Sequence, residues 1–212
     1  MPHDILIFDL DGTISDPKDG IVRSVNYALE SFDFKPRSDV EISQFIGPPL
    51  NEMFESLTQI TDPATTSSLI SKYRERYADI GYSENTLYEG IRDSLMTLYD
   101  EGANRLAICT SKRRDFAIKI LEMFELFELF EFINGGDVGI EKWQQLGGLL
   151  ESGSISSKSL MIGDRYLDLT AAHSNNLNSA GVLWGYGSEE EIQKEKPMYI
   201  FNSTQQLVEL IA

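Results

Sequence analysis

Five short apolar runs punctuate the chain, each closed by a polar or glycine-rich turn. Ile5-Leu6-Ile7-Phe8, Leu106-Ala107-Ile108-Cys109, Phe132-Ile133-Asn134, Leu160-Met161-Ile162 and Ala180-Gly181-Val182-Leu183 have the length expected of strands buried on both faces. Between them, apolar positions recur at helical spacing over roughly Ile91 to Glu101, Arg113 to Phe124, Glu141 to Glu151 and Leu167 to Asn175. A last run, Tyr199-Ile200-Phe201, leads into a helical pattern from Ser203 to Ala212. Buried strands alternating with helices predict βαβ units, a parallel sheet and right-handed crossovers that place helices on both faces. The expectation is a doubly wound α/β core.

The stretch between Ser15 and about Asn85 departs from that rhythm and reads as helix after helix. Asp16-Pro17 and Asp62-Pro63 each pair an N-cap with proline at the first helical position. Ser38 followed by Glu41 fits a capping box, and Ile46-Gly47-Pro48-Pro49 is a stiff loop between two helices. Glu189-Glu190-Glu191 suits a solvated first helical turn. The predicted organisation is an α/β core from residues 1–14 and 87–212, with a small helical domain of residues 15–86 inserted after the first strand.

Charge narrows the functional classes. Among 212 residues, 34 Asp and Glu stand against 18 Lys and Arg, a formal net charge of -16. That field opposes nucleic acid and anionic membranes, so neither is an expected partner. No apolar run approaches the ~20 residues of a membrane span. The N-terminus carries no basic stretch before its first strand, and the expected location is cytoplasmic. The lone Cys109 excludes an internal disulfide and reads as a core thiol. The two scattered histidines, His3 and His173, support neither a zinc site nor a Ser-His-Asp hydrolase.

In open parallel sheets, ligands bind beyond the carboxyl ends of the strands. The first apolar run is followed by Asp9, Asp11 and Thr13, and the second by Thr110, Ser111 and Lys112. Gly135, Gly136, Asp137 and then Lys142 follow the third, while Gly163, Asp164, Arg165 and Asp168 follow the fourth. Carboxylates, hydroxyls and a lysine thus collect at one sheet edge. Carboxylate oxygens suit Mg²⁺, and hydroxyl and backbone N–H groups at a helix start suit a phosphate. The constellation reads as a Mg²⁺-dependent phosphoryl-transfer site. Trp184-Gly185-Tyr186-Gly187, after the fifth strand, either lines the cleft or packs as a glycine-rich loop.

Phe8-Asp9-Leu10-Asp11-Gly12-Thr13, Thr110-Ser111-Lys112 and Ile162-Gly163-Asp164-Arg165-Tyr166-Leu167-Asp168 resemble three motifs of the haloacid dehalogenase superfamily. The likeness spans nearly the whole chain, and it implies a Rossmann-like core with a helical cap inserted after the first motif. Phe45-Ile46-Gly47-Pro48-Pro49-Leu50, Glu84-Asn85-Thr86-Leu87-Tyr88-Glu89-Gly90-Ile91 and Tyr186-Gly187-Ser188 are similar to the phosphoglycolate phosphatase-like branch, which includes some 5′-nucleotidases.

The resemblance implies a phosphatase acting on a small phosphorylated metabolite through an aspartyl-phosphate. It makes Asp9 the nucleophile and Asp11 the general acid and base. Thr110 and the backbone at Ser111 would bind the transferring group, and Lys142 would offset the charge between Asp9 and the phosphate. Asp9, the main-chain carbonyl of Asp11 and Asp164 would hold Mg²⁺, with Asp168 orienting a metal-bound water or Lys142. The spacing Asp9-x-Asp11 puts both side chains on one face if the strand continues that far. The segment Gly135–Lys142 is only loosely like the family's motif, and Arg113 stands where many relatives have proline. Three consecutive cations, Lys112, Arg113 and Arg114, either help attract an anionic substrate or form a solvated first helical turn. The alternatives are a phosphotransferase or mutase on the same scaffold, and a non-enzymatic phosphoacceptor or phosphate-binding module. The inserted helical stretch favours the capped enzyme.

Overall fold

The computed structural model describes residues 3–101 and 105–211. Its first strand, β1 (Ile5–Phe8), is buried at every position. A two-residue strand β2 (Ser15–Asp16) follows, and the insertion then runs through α1 (Lys18–Glu30), α2 (Asp39–Ser43), α3 (Leu50–Thr58) and α4 (Pro63–Asp79). A second short strand, β3 (Thr86–Leu87), pairs antiparallel with β2, so the chain leaves and re-enters the core side by side. The remainder alternates as α5 (Ile91–Asp100), β4 (Arg105–Thr110), α6 (Arg114–Met123), β5 (Phe132–Gly135), α7 (Lys142–Glu151), β6 (Leu160–Gly163), α8 (Tyr166–Ser174), β7 (Asn178–Val182), α9 (Glu189–Lys194) and β8 (Tyr199–Phe201).

Six strands form one sheet in the order β5-β4-β1-β6-β7-β8, and every pairing is parallel. This is the Rossmann-like, doubly wound sheet predicted. The alternation of strand side chains divides the core in two. Leu6, Phe8, Ile108 and Ile162 pack with α5 and α6 residues such as Leu95 and Ile120. Ile5, Ile7, Ala107, Cys109 and Met161 pack with Leu146 of α7 and Ala172 of α8. Cys109 is fully buried, and burial pushes its thiol up to about 12, as a core thiol requires. The inserted helices share a third apolar cluster that includes Val25, Leu29, Met53, Phe54, Leu69 and Tyr73, and Phe116 of α6 joins it. Among the described residues, no helix is long and apolar enough to cross a membrane.

Several local expectations need correction. The last helical pattern is a 3-10 helix over Thr204–Ile211, and Ala212 lies outside the described residues. Strand β7 begins at Asn178, because Ser179, although polar, is buried with its hydroxyl 2.8 Å from His173 Nε2. Helix α1 starts at Lys18 with Pro17 as its cap residue. Asp16 instead sits in β2, where its Oδ1 still accepts a 2.9 Å bond from the Lys18 amide. The caps at Asp62-Pro63 and Ser38…Glu41 form as read, and the three glutamates open α9.

Candidate active site

Asp9 follows β1 directly and is almost fully buried at the carboxyl edge of the sheet. The strand does not continue to Asp11. The chain turns, with the amides of Ile14 and Ser15 both bonding to the Leu10 carbonyl. Both carboxylates nevertheless line one cleft with Thr110 and Ser111, so the loop achieves what strand alternation was expected to do. Gly12 makes the loop possible: its φ is +86°, and a Cβ there would lie 2.2 Å from Asp164 Oδ2.

Asp9, Asp164 and Asp168 are buried, and one carboxylate oxygen of each lies within 4.8 Å of the others. Lys142, the first residue of α7, reaches into this group. Its Nζ stands 3.1 Å from Asp9 Oδ2 and also bonds Asp168 Oδ1. Asp9 Oδ1 accepts the Leu10 amide at 2.8 Å. Asp164 accepts from the Thr13 hydroxyl at 3.2 Å and the Tyr186 amide at 2.8 Å. Asp168 Oδ2 accepts the Arg165 amide at 3.0 Å.

Electrostatics follow from that crowding. Burial, then the charges of Asp168 and Asp9, pushes Asp164 well above the usual carboxylate range. Burial also raises Asp168, against the pull of Lys142. Burial works to discharge Lys142, but Asp168 and Asp9 outweigh it and hold the ammonium protonated. Three buried carboxylates share one lysine, so their hard oxygen donors crowd together with too little positive charge among them to ionise freely. The buried Asp11 Oδ1, also close to the cleft, has no hydrogen-bond partner. These features fit a divalent cation such as Mg²⁺.

Asp11 is not held by the acidic cluster. Its Oδ2 lies 2.8 Å from Lys112 Nζ, and both side chains are largely buried. Burial raises Asp11 and Lys112 pulls it down. This pairing was missed in the sequence, where Lys112 read as one of three cations that either attract substrate or form a solvated first turn. The structure turns that run to other uses, since Arg113 pairs with Asp115 and Arg114 Nε donates to the Ile133 carbonyl. Thr110 Oγ1 accepts the Lys112 amide at 3.3 Å, a local cap that leaves Thr110 facing the cleft. Asp137 stays outside the acidic cluster and binds Arg74 of α4 at 2.6 Å. Trp184 and Tyr186 brace the site, through Trp184 Nε1 to the Thr13 carbonyl and the Tyr186 hydroxyl to Asp16. Arg165 Nη1 reaches the Ile46 carbonyl at 2.5 Å, tying the loop beside Asp164 to the helical insertion.

Known proteins share this architecture. The sequence matches the haloacid dehalogenase-like hydrolase family over residues 6–182. A 5′-nucleotidase from Pseudomonas aeruginosa is 35% identical over 198 residues, covering 92% of this chain and 89% of that protein. Tyrosine-protein kinase PtkA from Mycobacterium tuberculosis is 32% identical over 195 residues, 90% of this chain and 65% of the relative. The crystal structure of a predicted phosphatase from Clostridium acetobutylicum superposes with a TM-score of 0.92 at 36% identity, covering 100% and 99% of the two chains. Fold, match and site together make this chain an enzyme of the haloacid dehalogenase-like hydrolase family.

Proposed function

We propose that the protein hydrolyses a small phosphomonoester in a Mg²⁺-dependent reaction through an aspartyl-phosphate on Asp9. The observation that carries this reading is Lys142 bridging Asp9 and Asp168 beside Asp164, with Thr110 and Asp11 on the same cleft. Asp9, Asp164 and the carbonyl of Asp11 would hold the cation, with Asp168 steadying Lys142 or a coordinated water. When bound, the cation neutralises phosphoryl oxygens and orients the ester.

A carboxylate oxygen of Asp9 attacks phosphorus, and the bond to the ester oxygen breaks. Asp11 gives its proton to the departing alkoxide, so a neutral alcohol leaves. Water then attacks the aspartyl-phosphate while Asp11 takes its proton back, releasing inorganic phosphate and restoring Asp9. Burial favours the protonated carboxyl of Asp11 and Lys112 favours the carboxylate, which suits a group that must be acid and then base. Thr110 and the Ser111 backbone bind the transferring oxygens, and Lys142 shields them from Asp9. Residues 15–86 act as a cap, entering through β2 and leaving through β3, which excludes bulk water when seated. A nucleoside monophosphate is a leading substrate class, as the named activity of the Pseudomonas relative supports.

The experiment is phosphate release from p-nitrophenyl phosphate, phosphoglycolate and nucleoside monophosphates, with and without Mg²⁺, for the native protein and Asp9→Asn. Mg²⁺-dependent turnover that Asp9→Asn abolishes is expected. The name of the mycobacterial relative raises a second reading, phosphotransfer to an acceptor other than water. It would be favoured if phosphate left the donor without appearing as inorganic phosphate. Stable phosphorylation without turnover would favour a phosphoacceptor module.

A further inference from the structure

The cleft above Asp9 is lined by two kinds of surface. Asp9, Asp11 and Thr110 supply its reactive groups. Its apolar lining comes from half-buried Phe45 and Leu50 of the helical insertion and from the rings of Tyr73, Tyr77 and Phe116, with the Tyr77 hydroxyl bonded to Lys112 Nζ at 2.6 Å. Tyr73 and Tyr77 stack at 5.3 Å between centroids, and Tyr77 meets Phe116 edge-on at 5.2 Å, so this wall is a rigid aromatic cluster.

Each of the three cations that line the cleft is already paired with a carboxylate of the protein. Arg74 pairs with Asp137 at 2.6 Å, Lys112 with Asp11 at 2.8 Å and Arg113 with Asp115 at 2.8 Å. Arg74 also has a buried donor to offer, since its Nε has no hydrogen-bond partner. That donor can serve a neutral acceptor, while the charge of the guanidinium is met by Asp137. An apolar ring gains from burial against such a wall. A carboxylate or second phosphate there would lose its hydration without acquiring a counter-ion.

Resting on the phosphatase reading above, we propose that the leaving alcohol is uncharged and ring-bearing, and that the apolar lining of the cleft, with its cations already paired, rejects esters of anionic alcohols. Specificity thus lies in charge already paired within the protein as much as in shape. Arg74 and Asp137 set it together: α4 brings the guanidinium to the cleft, and the loop after β5 cancels its charge.

The test compares benzyl phosphate with 4-carboxybenzyl phosphate, which share the scissile bond and differ by one remote carboxylate. In the native protein, kcat/KM for the benzyl ester is expected to be at least about tenfold higher, mostly through KM. Asp137→Asn frees Arg74 and is expected to raise kcat/KM for the carboxybenzyl ester, narrowing the ratio. Equal kcat/KM for the two esters in the native protein would overturn the proposal. A ratio unmoved by Asp137→Asn would overturn the assignment to Arg74. If neither ester is hydrolysed in an Asp9-dependent way, the phosphatase reading itself fails and takes this one with it.

Discussion

Lys112 Nζ lies 2.8 Å from Asp11 Oδ2 and 2.6 Å from the hydroxyl of Tyr77, and so joins the loop after β1 to helix α4 of the insertion. The ammonium also sits over the Tyr77 ring, 4.5 Å from its centroid. From Tyr77 the contacts continue to Asn85, whose Nδ2 donates to the hydroxyl at 3.4 Å, and from Asn85 Oδ1 to the Ser15 hydroxyl at 3.1 Å. Asp11 is thus positioned by a buried network that includes both crossings between sheet and helices.

Lys112→Met should therefore lower kcat by about tenfold to a hundredfold, since a misplaced acid loses much of what general acid catalysis provides. Stability should fall too, because one partner of a buried pair is left behind. Lys112→Met combined with Asp11→Asn should recover part of that stability and none of the activity. Chemical denaturation of the two variants, read beside phosphate release, checks both halves. Full activity in folded Lys112→Met would remove Lys112 from the positioning of Asp11.

The acidic cluster makes a separate prediction about Mg²⁺. A cation that binds only the folded state stabilises it, by about 2.7 kcal/mol at a hundredfold excess over Kd. For a chain of this size that corresponds to a Tm rise of roughly 5–10 °C. Asp164→Asn should raise the Tm measured in EDTA, because it relieves repulsion from Asp9 and Asp168, and should abolish the Mg²⁺ increment. Differential scanning calorimetry with EDTA and with Mg²⁺ gives both numbers. An Asp164→Asn protein that kept the full increment would place the cation elsewhere.

Gly12→Ala should inactivate without unfolding the sheet. Alanine pays a penalty of about 1 kcal/mol or more at a φ of +86°, and its Cβ would meet Asp164 Oδ2 at 2.2 Å. The site must distort to admit it, so kcat should collapse while far-UV circular dichroism stays native. Retained activity would show that the loop has slack that the packing around Gly12 denies.

How much of this was legible in the sequence follows physical lines. Ile5–Phe8 and Leu160–Ile162 announce themselves, because strands buried on both faces have no polar positions to confuse the pattern. Asp9, Asp11, Thr110, Lys142, Asp164 and Asp168 could be collected because a parallel sheet delivers its strand ends to one edge. Lys112 and Asp11 are a hundred residues apart, and no periodicity reports that one neutralises the other. The same holds for Arg74 and Asp137. Strands β2 and β3, two residues each, are too short for any alternation to register. Asp16-Pro17 looks like a helix cap, yet pairing with β3 and the Tyr186 hydroxyl claim Asp16 for the strand.

The return from the insertion carries a pH-dependent fastening. Glu84, just before β3, bonds Arg76 of α4 at 2.9 Å and Arg23 of α1 at 2.7 Å. Bonding to Arg76 holds its carboxyl below the ordinary value of 4.5, with Arg23 adding to the effect. A carboxylate lowered in the folded state contributes stability that is fully present above the unfolded value and is lost as pH falls through the folded one. Glu84→Gln should therefore be less stable than the native protein at pH 7, and the gap should shrink between pH 4.5 and pH 3. Urea midpoints for both proteins at pH 7, 4.5 and 3 test this. A gap that stayed constant down to pH 3 would mean that Glu84 stabilises through its packing and not through its charge.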